Sequence, residues 1–249
     1  MSENLSFVIT GASSELGLAL SSSLLKESGV SLLLTSRRDL DAPAAEAGHR
    51  VLLSPGLDLA DASSAAELRA RSEQFFEGPF HVVNCVGYFP GYKGIDEIGP
   101  DVARAVYESN VLAVYAAAHA LLPLMRRRGG GHFITFSSHT DYQCYPLMAA
   151  FTSAKSAVES LTRSIAHEFS RDGVVANTLA LATLATEAER RLKPSGDQEN
   201  WLQLPQVCGV IRELVTSPFS VVNGNTIHLY NHSESYFHQS YFKRIGREE

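Results

Sequence analysis

Apolar residues along this chain fall into two alternating patterns. LSFVIT (5–10), VSLLLTS (30–36), VLLSPGLDL (51–59), HVVNCVG (81–87), HFITFSS (132–138), VVANTLA (174–180) and NTIHLY (225–230) are short, nearly unbroken apolar runs, which predicts buried strands. Between them, GLALSSSLLKESG (17–29) and residues 61–77, 101–127, 151–171 and 205–216 carry helical spacing, with Gly29 closing the first helix. Strand–helix alternation in this order implies right-handed crossovers and a parallel sheet covered on both faces. The fold class is therefore α/β, one doubly wound domain over residues 1–249 with no linker to divide it. Ligands in such sheets bind beyond the carboxyl ends of the strands, so the chemistry is expected just after residues 10, 36, 58, 84, 138 and 180.

Composition narrows the partners. At 249 residues and 45% hydrophobic content the chain can bury one large core or two small ones. A formal charge of −6 gives no basic face for nucleic acid. The dense basic cluster Arg126-Arg127-Arg128 reads as the charged end of a helix stopped by Gly129-Gly130-Gly131. Three cysteines, Cys85, Cys144 and Cys208, share no metal spacing, and their odd number fits a reduced, cytoplasmic setting. No secretory signal is evident and no apolar stretch is long enough to span a bilayer, so the expected partner is a small molecule, without nucleic acid or membrane.

TGASSELG (10–17) follows the first strand and opens the first helix, where free amides and small residues let a backbone approach a pyrophosphate. By itself such a turn also fits an ordinary tight connection. The string resembles the T-G-x-x-x-G-x-G fingerprint of the short-chain dehydrogenase/reductase family, which has the Rossmann fold. Gly11 and Gly17 match, Ser13, Ser14 and Leu16 complete the loop, and Glu15 stands where the middle glycine is usual. A carboxylate there suits the helix dipole but opposes an anion if it points toward it.

Further along, LTSRRD (34–39) ends its strand without an acid and continues into Arg37 and Arg38, which favours a 2′-phosphate and hence NADP(H) over NAD(H). Two solvated surface arginines would give the same string. Asp58, followed by Leu59, resembles the family's adenine-contacting aspartate; NCVG resembles its N-N-A-G motif, with Asn84 and Gly87 matching and Cys85 and Val86 substituted. Matches in this order over about residues 5–230 imply membership of the family.

The resemblance implies a catalytic serine, tyrosine and lysine, assisted by an asparagine from the preceding helix. Asn110, Ser138 and Lys155 match, and Lys155 would also hold the nicotinamide ribose. Phe151 occupies the tyrosine position, thirteen residues after Ser138 and one helical turn before Lys155. Phe151 also fits an apolar stripe with Ala154, Val158, Leu161 and Ile165. NTLALATLAT (177–186) resembles N-x-I-x-P-G-x-x-x-T with Leu181-Ala182 in place of Pro-Gly; Thr186 is retained at the position that typically touches the carboxamide. VVNGNTIHLYNHS lacks the usual D-G-G.

Four readings follow from the lost hydroxyl. Another donor near the site substitutes, with His139, Tyr142, Tyr145 and Tyr88 as candidates; the substrate is an iminium or conjugated C=C that needs little acid; the reaction is not a redox one; or the chain is an inactive binding subunit. The favoured reading is an atypical NADP(H)-dependent oxidoreductase that reduces C=N, C=O or conjugated C=C. Residues 187–204 fall at the family's variable lid, with Trp201 expected at the substrate pocket, and residues 231–249 form an aromatic tail. His228, His232 and His238 fit no metal spacing. The resemblance implies that helices 101–127 and 151–171 form subunit interfaces, where small residues such as Ala113, Ala116, Ala117 and Ala157 permit close packing, so a homodimer or homotetramer is expected.

Overall fold

The computed structural model describes residues 5–140, 144–194, 198, 201–217 and 221–231. Tyr142, His232, His238 and the tail beyond 231 lie outside the described residues. In chain order the elements are β1 (Ser6–Thr10), α1 (Glu15–Leu24), β2 (Ser31–Ser36), β3 (Arg50–Pro55), α2 (Ala62–Phe75), β4 (His81–Asn84), α3 (Pro100–Tyr107), α4 (Ala113–Arg128), β5 (Gly131–Ser138), α5 (Ala149–Glu168), β6 (Val174–Leu181), α6 (Glu187–Leu192), α7 (Leu204–Thr216) and β7 (Thr226–Leu229). The strands form one sheet in the order β3-β2-β1-β4-β5-β6-β7, and every pairing is parallel.

Side-chain alternation along the central strands divides the core in two. Phe7 and Ile9 of β1, with Leu32 and Leu34 of β2, point into a cluster with Leu20 and Leu24 of α1 and Val207 and Ile211 of α7. Val8 and Leu33 point the other way, into Leu68 of α2, Leu121 and Leu124 of α4, and Ile165 of α5. Burial on both faces explains why these strands read as unbroken apolar runs rather than alternating ones.

Several boundaries differ from expectation. The 51–59 run stops being a strand at Pro55, and Gly56 turns the chain at φ +80°. The first helix ends at Leu24 rather than at Gly29. The long third helix is interrupted by a π turn, Glu108–Leu112, between α3 and α4. There the Asn110 side-chain amide donates to the carbonyls of Val106 and Tyr88, both at 2.8 Å, so an extra residue is accommodated in the turn. Helix α6 is an addition that periodicity did not indicate.

At the end of α4 the expected stop is found: Gly129 adopts φ +94° in the left-handed region, and Gly130 and Gly131 let the chain press against Gly173 and Phe80, where a Cβ would come within 2.1 and 2.0 Å of carbonyl oxygens. This fixes the start of β5 and therefore the depth at which its other end, Ser138, is presented.

Candidate active site

Strand order reverses between β1 and β4, and the loops after these strands meet. Cys85 N–H donates to the Thr10 carbonyl at 2.9 Å. A Cβ on Gly11, whose φ is +65°, would lie 2.6 Å from the Cys85 carbonyl oxygen, and one on Gly17 would lie 2.8 Å from Gly11 oxygen. Glycine is required at both places by close backbone approach. Ser14 caps α1 by accepting the Gly17 N–H at 3.1 Å.

A cavity opens over this junction, lined by Gly11, Ser13, Ser14, Arg37, Arg38, Asp58, Leu59, Val86 and Gly87, together with Thr35, Ser36, Leu57, Cys85, Ser109 and Ala113. The first nine of these were expected from sequence. Ser13 and Ser36 hydroxyls meet at 2.5 Å, and the Arg38 guanidinium reaches back to Ser13, donating to its hydroxyl at 3.3 Å and its carbonyl at 3.2 Å. Arg37 pairs with Asp58 at 3.6 Å across the rim, an exposed contact. The residues between the two arginines and the start of α1 thus form a cationic rim above a glycine floor. Thr35 Oγ1, buried in this lining, has no hydrogen-bond partner among the described atoms.

Other expected residues serve the loop from behind. Leu16 is buried in the core, Gly17 packs on Ala12, and Asn84 accepts from the Thr10 hydroxyl while donating to the Ile134 carbonyl. Thr186 caps α6, its hydroxyl accepting the Glu189 N–H.

A second cavity, of about 740 Å³, lies beyond the ends of β5 and β6. Its walls are largely apolar, with Phe89, Tyr92, Phe136, Met148, Phe151 and Leu184 among them, and Ser138, His139, Tyr145 and Lys155 in the same lining. Lys155 faces the sheet from α5 and is 7% exposed, an unusual setting for a lysine on an apolar helix face. Its ammonium donates to the Phe136 carbonyl at 3.1 Å and sits 5.5 Å from the centre of the Phe151 ring. Phe151 in turn meets Phe89 edge to face at 5.0 Å. Ser138 Oγ accepts from the Thr140 hydroxyl at 2.9 Å, which leaves the serine proton for another acceptor.

Gly87, in the lining of the first cavity, faces Lys155 in the lining of the second. A Cβ on Gly87 would come 3.0 Å from Asn110 Oδ1 and 3.6 Å from Lys155 Nζ. Asn110 Oδ1 is buried with no hydrogen-bond partner among the described atoms, an acceptor available to a bound group or water. This open corner, the glycine floor and the cationic rim together fit a dinucleotide lying across both cavities.

His139 Nδ1–H donates to the Leu181 carbonyl at 3.1 Å, and the ring packs edge-on to Tyr145. Burial lowers its pKa, and Lys193 and His228 add to the effect against the opposing Leu181 hydrogen bond, favouring the neutral ring. Tyr88 contributes its carbonyl to Asn110, while its side chain is 42% exposed and outside the lining. Trp201 is buried beside the cavity rather than in its wall, with Arg190 and Lys193 over its ring at 6.0 and 5.9 Å.

Sequence reading missed Lys193 and Thr140. Lys193 comes from the segment after α6, donates to the Thr183 hydroxyl at 3.1 Å, pairs with Glu189 at 3.3 Å and faces the Tyr92 ring. Burial works to lower its pKa, but Glu189 and Tyr92 raise it above the ordinary lysine value, so it remains cationic in the wall. No local pattern signals Lys193, because only the return of the chain over the sheet brings it there. Thr140 could have been suspected from its place two residues after Ser138. Among the described residues no cluster of His, Cys, Asp and Glu could hold a metal, and no helix is long and apolar enough to cross a membrane.

A family model described as short chain dehydrogenase matches residues 6–196. The chain is 28% identical over 209 residues to the short chain dehydrogenase mpl6 of Monascus purpureus, covering 80% of this chain and 71% of the relative. Among solved structures, a tyrosine-to-phenylalanine variant of ElxO with NADPH bound superposes with a TM-score of 0.80 at 20% identity, covering 90% of this chain and 96% of that one. An NAD+-bound xylitol dehydrogenase gives a TM-score of 0.81 at 18% identity, covering 93% and 100%. At these identities the structural likeness speaks for the fold.

Proposed function

The chain belongs to the short chain dehydrogenase family, and from that premise we propose that it is an NADP(H)-dependent oxidoreductase that reduces a C=N, C=O or conjugated C=C bond of a small molecule without a tyrosine acid. One observation carries the reading: a phenylalanine, Phe151, stands one turn before a buried lysine, Lys155, in an apolar cavity that also holds Ser138. The cofactor, when bound, supplies the hydride. Arg37 and Arg38 would meet its 2′-phosphate, Asp58 its adenine and Lys155 its ribose hydroxyls.

On the substrate side, Ser138 would hydrogen-bond the oxygen of a carbonyl substrate, an iminium would take the hydride at its carbon with no proton needed, and the apolar walls exclude water. Loss of a placed acid costs carbonyl reduction about 100- to 10,000-fold. An iminium already carries the positive charge that accepts hydride and needs no placed acid. C=N is therefore the preferred substrate bond. The ElxO variant supports the compatibility of a phenylalanine-for-tyrosine replacement with NADPH binding in a protein of this fold.

Calorimetric titration with NADPH and NADH tests the cofactor, and turnover of cyclic imines against ketones tests the bond. NADPH preference followed by imine reduction is expected; absence of binding by either dinucleotide sinks the reading. In Phe151→Tyr, ketone reduction should appear and imine reduction should fall. A binding subunit without turnover is the second reading, favoured by Glu15 standing where the fingerprint has its middle glycine, and turnover of any substrate excludes it. The assembly expected for either is a homodimer or homotetramer, supported by Leu112 and Tyr115, which are 51% and 58% exposed along the third helix.

A further inference from the structure

Glu15 is the first residue of α1 and the place where the glycine fingerprint is broken. Its carboxylate leaves the loop and spans 172 residues of sequence to the start of α6: Oε2 accepts the Glu187 N–H at 2.9 Å and Oε1 the Ala188 N–H at 3.3 Å. Helix starts leave such donors without partners inside the helix. Thr186 takes the Glu189 N–H, so Glu15 and Thr186 together satisfy the first turn of α6.

The other end of this short helix belongs to the apolar cavity. Glu189, Leu192 and Lys193 all line it, and Lys193 is fastened to Thr183 and faces Tyr92. One element therefore touches the glycine loop at its first residues and the apolar cavity at its last.

We propose that Glu15 is a clasp that holds α6 onto the glycine loop while the loop carries no dinucleotide, and that dinucleotide binding and the clasp oppose each other. The inference rests on the dinucleotide reading given above. A pyrophosphate laid on the amides at the start of α1 brings negative charge beside the Glu15 carboxylate, and like charges in a partly desolvated site repel. Weakening the clasp frees the first turn of α6 and lets the far end shift in the cavity wall. Occupancy of the first cavity is thereby transmitted to the shape of the second. A glycine at position 15 could make neither bond, so the coupling belongs to the residue by which this chain departs from the fingerprint.

Linkage makes the effect reciprocal: if dinucleotide weakens the clasp, removing the clasp must strengthen dinucleotide binding by the same factor. The test is calorimetric titration of the full chain, Glu15→Gln and Glu15→Gly with NADPH, alongside amide hydrogen exchange of the 184–192 segment with and without NADPH. Both variants should bind NADPH more tightly, Glu15→Gly by about five- to tenfold, and NADPH should speed exchange of 184–192 in the unaltered protein. Equal or weaker binding by both variants, or exchange that NADPH leaves unchanged or slows, overturns the clasp. Flat isotherms for all three proteins overturn the dinucleotide reading and the clasp with it, an outcome distinct from binding without coupling. Glu15→Gln keeps the side chain and the start of α1, and the exchange measurement needs no variant.

Discussion

Gly11 shows how little freedom single positions have at the strand-order reversal. Gly11→Ala would place a methyl group 2.6 Å from the Cys85 carbonyl and force a left-handed conformation on a residue with a side chain. A loss of about 2 kcal/mol or more is expected, combining the conformational cost with displacement of the Cys85 loop. Urea denaturation reads it, and a stability change below about 0.5 kcal/mol, the usual range for an uninvolved surface site, would contradict the packing argument. Such residues were legible in the sequence because a glycine loop after a strand has few other uses. The meeting of Ser138, Phe151 and Lys155 was legible through their spacing within one family pattern. Lys193, Thr183 and Tyr92 were not, since they come from separate loops and converge only through the fold.

At the scale of elements, the π turn depends on Asn110, whose amide bridges the helix and the loop after β4. Asn110→Ala leaves the buried Val106 carbonyl and the part-buried Tyr88 carbonyl without that donor and should cost about 2 kcal/mol, with faster proteolysis in residues 88–95 as a second readout. Unchanged stability and cleavage would mean the helix holds its bulge without the side chain. A second prediction concerns β4 and β5, which bring His81 and His132 together at 5.4 Å. Burial, with His132 adding, pushes His81 from 6.5 down to about 3, and its Nδ1 accepts the His132 N–H; burial lowers His132 as well. The unfolded chain therefore binds protons that the folded one refuses. Stability is fully present above about pH 6.5 and is lost as pH falls toward 3, with a slope of about 1.4 kcal/mol per pH unit from His81, and His132 contributes in the same direction. Melting between pH 6.5 and 5, above the carboxylate range, should show this fall, and His81→Gln should flatten it; parallel profiles would refute the assignment. Strands were readable from sequence because burial on both sides wrote itself into apolar runs. Helix α6 was not, since EAERRL has no apolar face and its position comes from Glu15 and Lys193.

For the whole molecule, light scattering of the purified chain should give a dimer or tetramer, and a dilute monomer would contradict the expected assembly. The parallel sheet also sorts the three thiols by accessibility, and none of them forms a disulfide. Cys85 lies in the floor between β1 and β4, its pKa raised by burial with Cys208 adding; Cys208 is on the buried face of α7, its pKa pushed up to about 11 by burial. Both stay protonated at neutral pH and react slowly. Cys144 alone is exposed, immediately before Tyr145 in the wall of the apolar cavity. Brief maleimide treatment of the folded protein should therefore attach one label, at Cys144, with mass spectrometry showing a single adduct; a second adduct at Cys208 would mean that the interior opens on that timescale, and one at half-buried Cys85 that its raised pKa does not hold the thiol back. The unaltered chain thus carries its own attachment point for a fluorophore or spin probe beside the cavity, where arrivals and departures of small molecules can be watched directly.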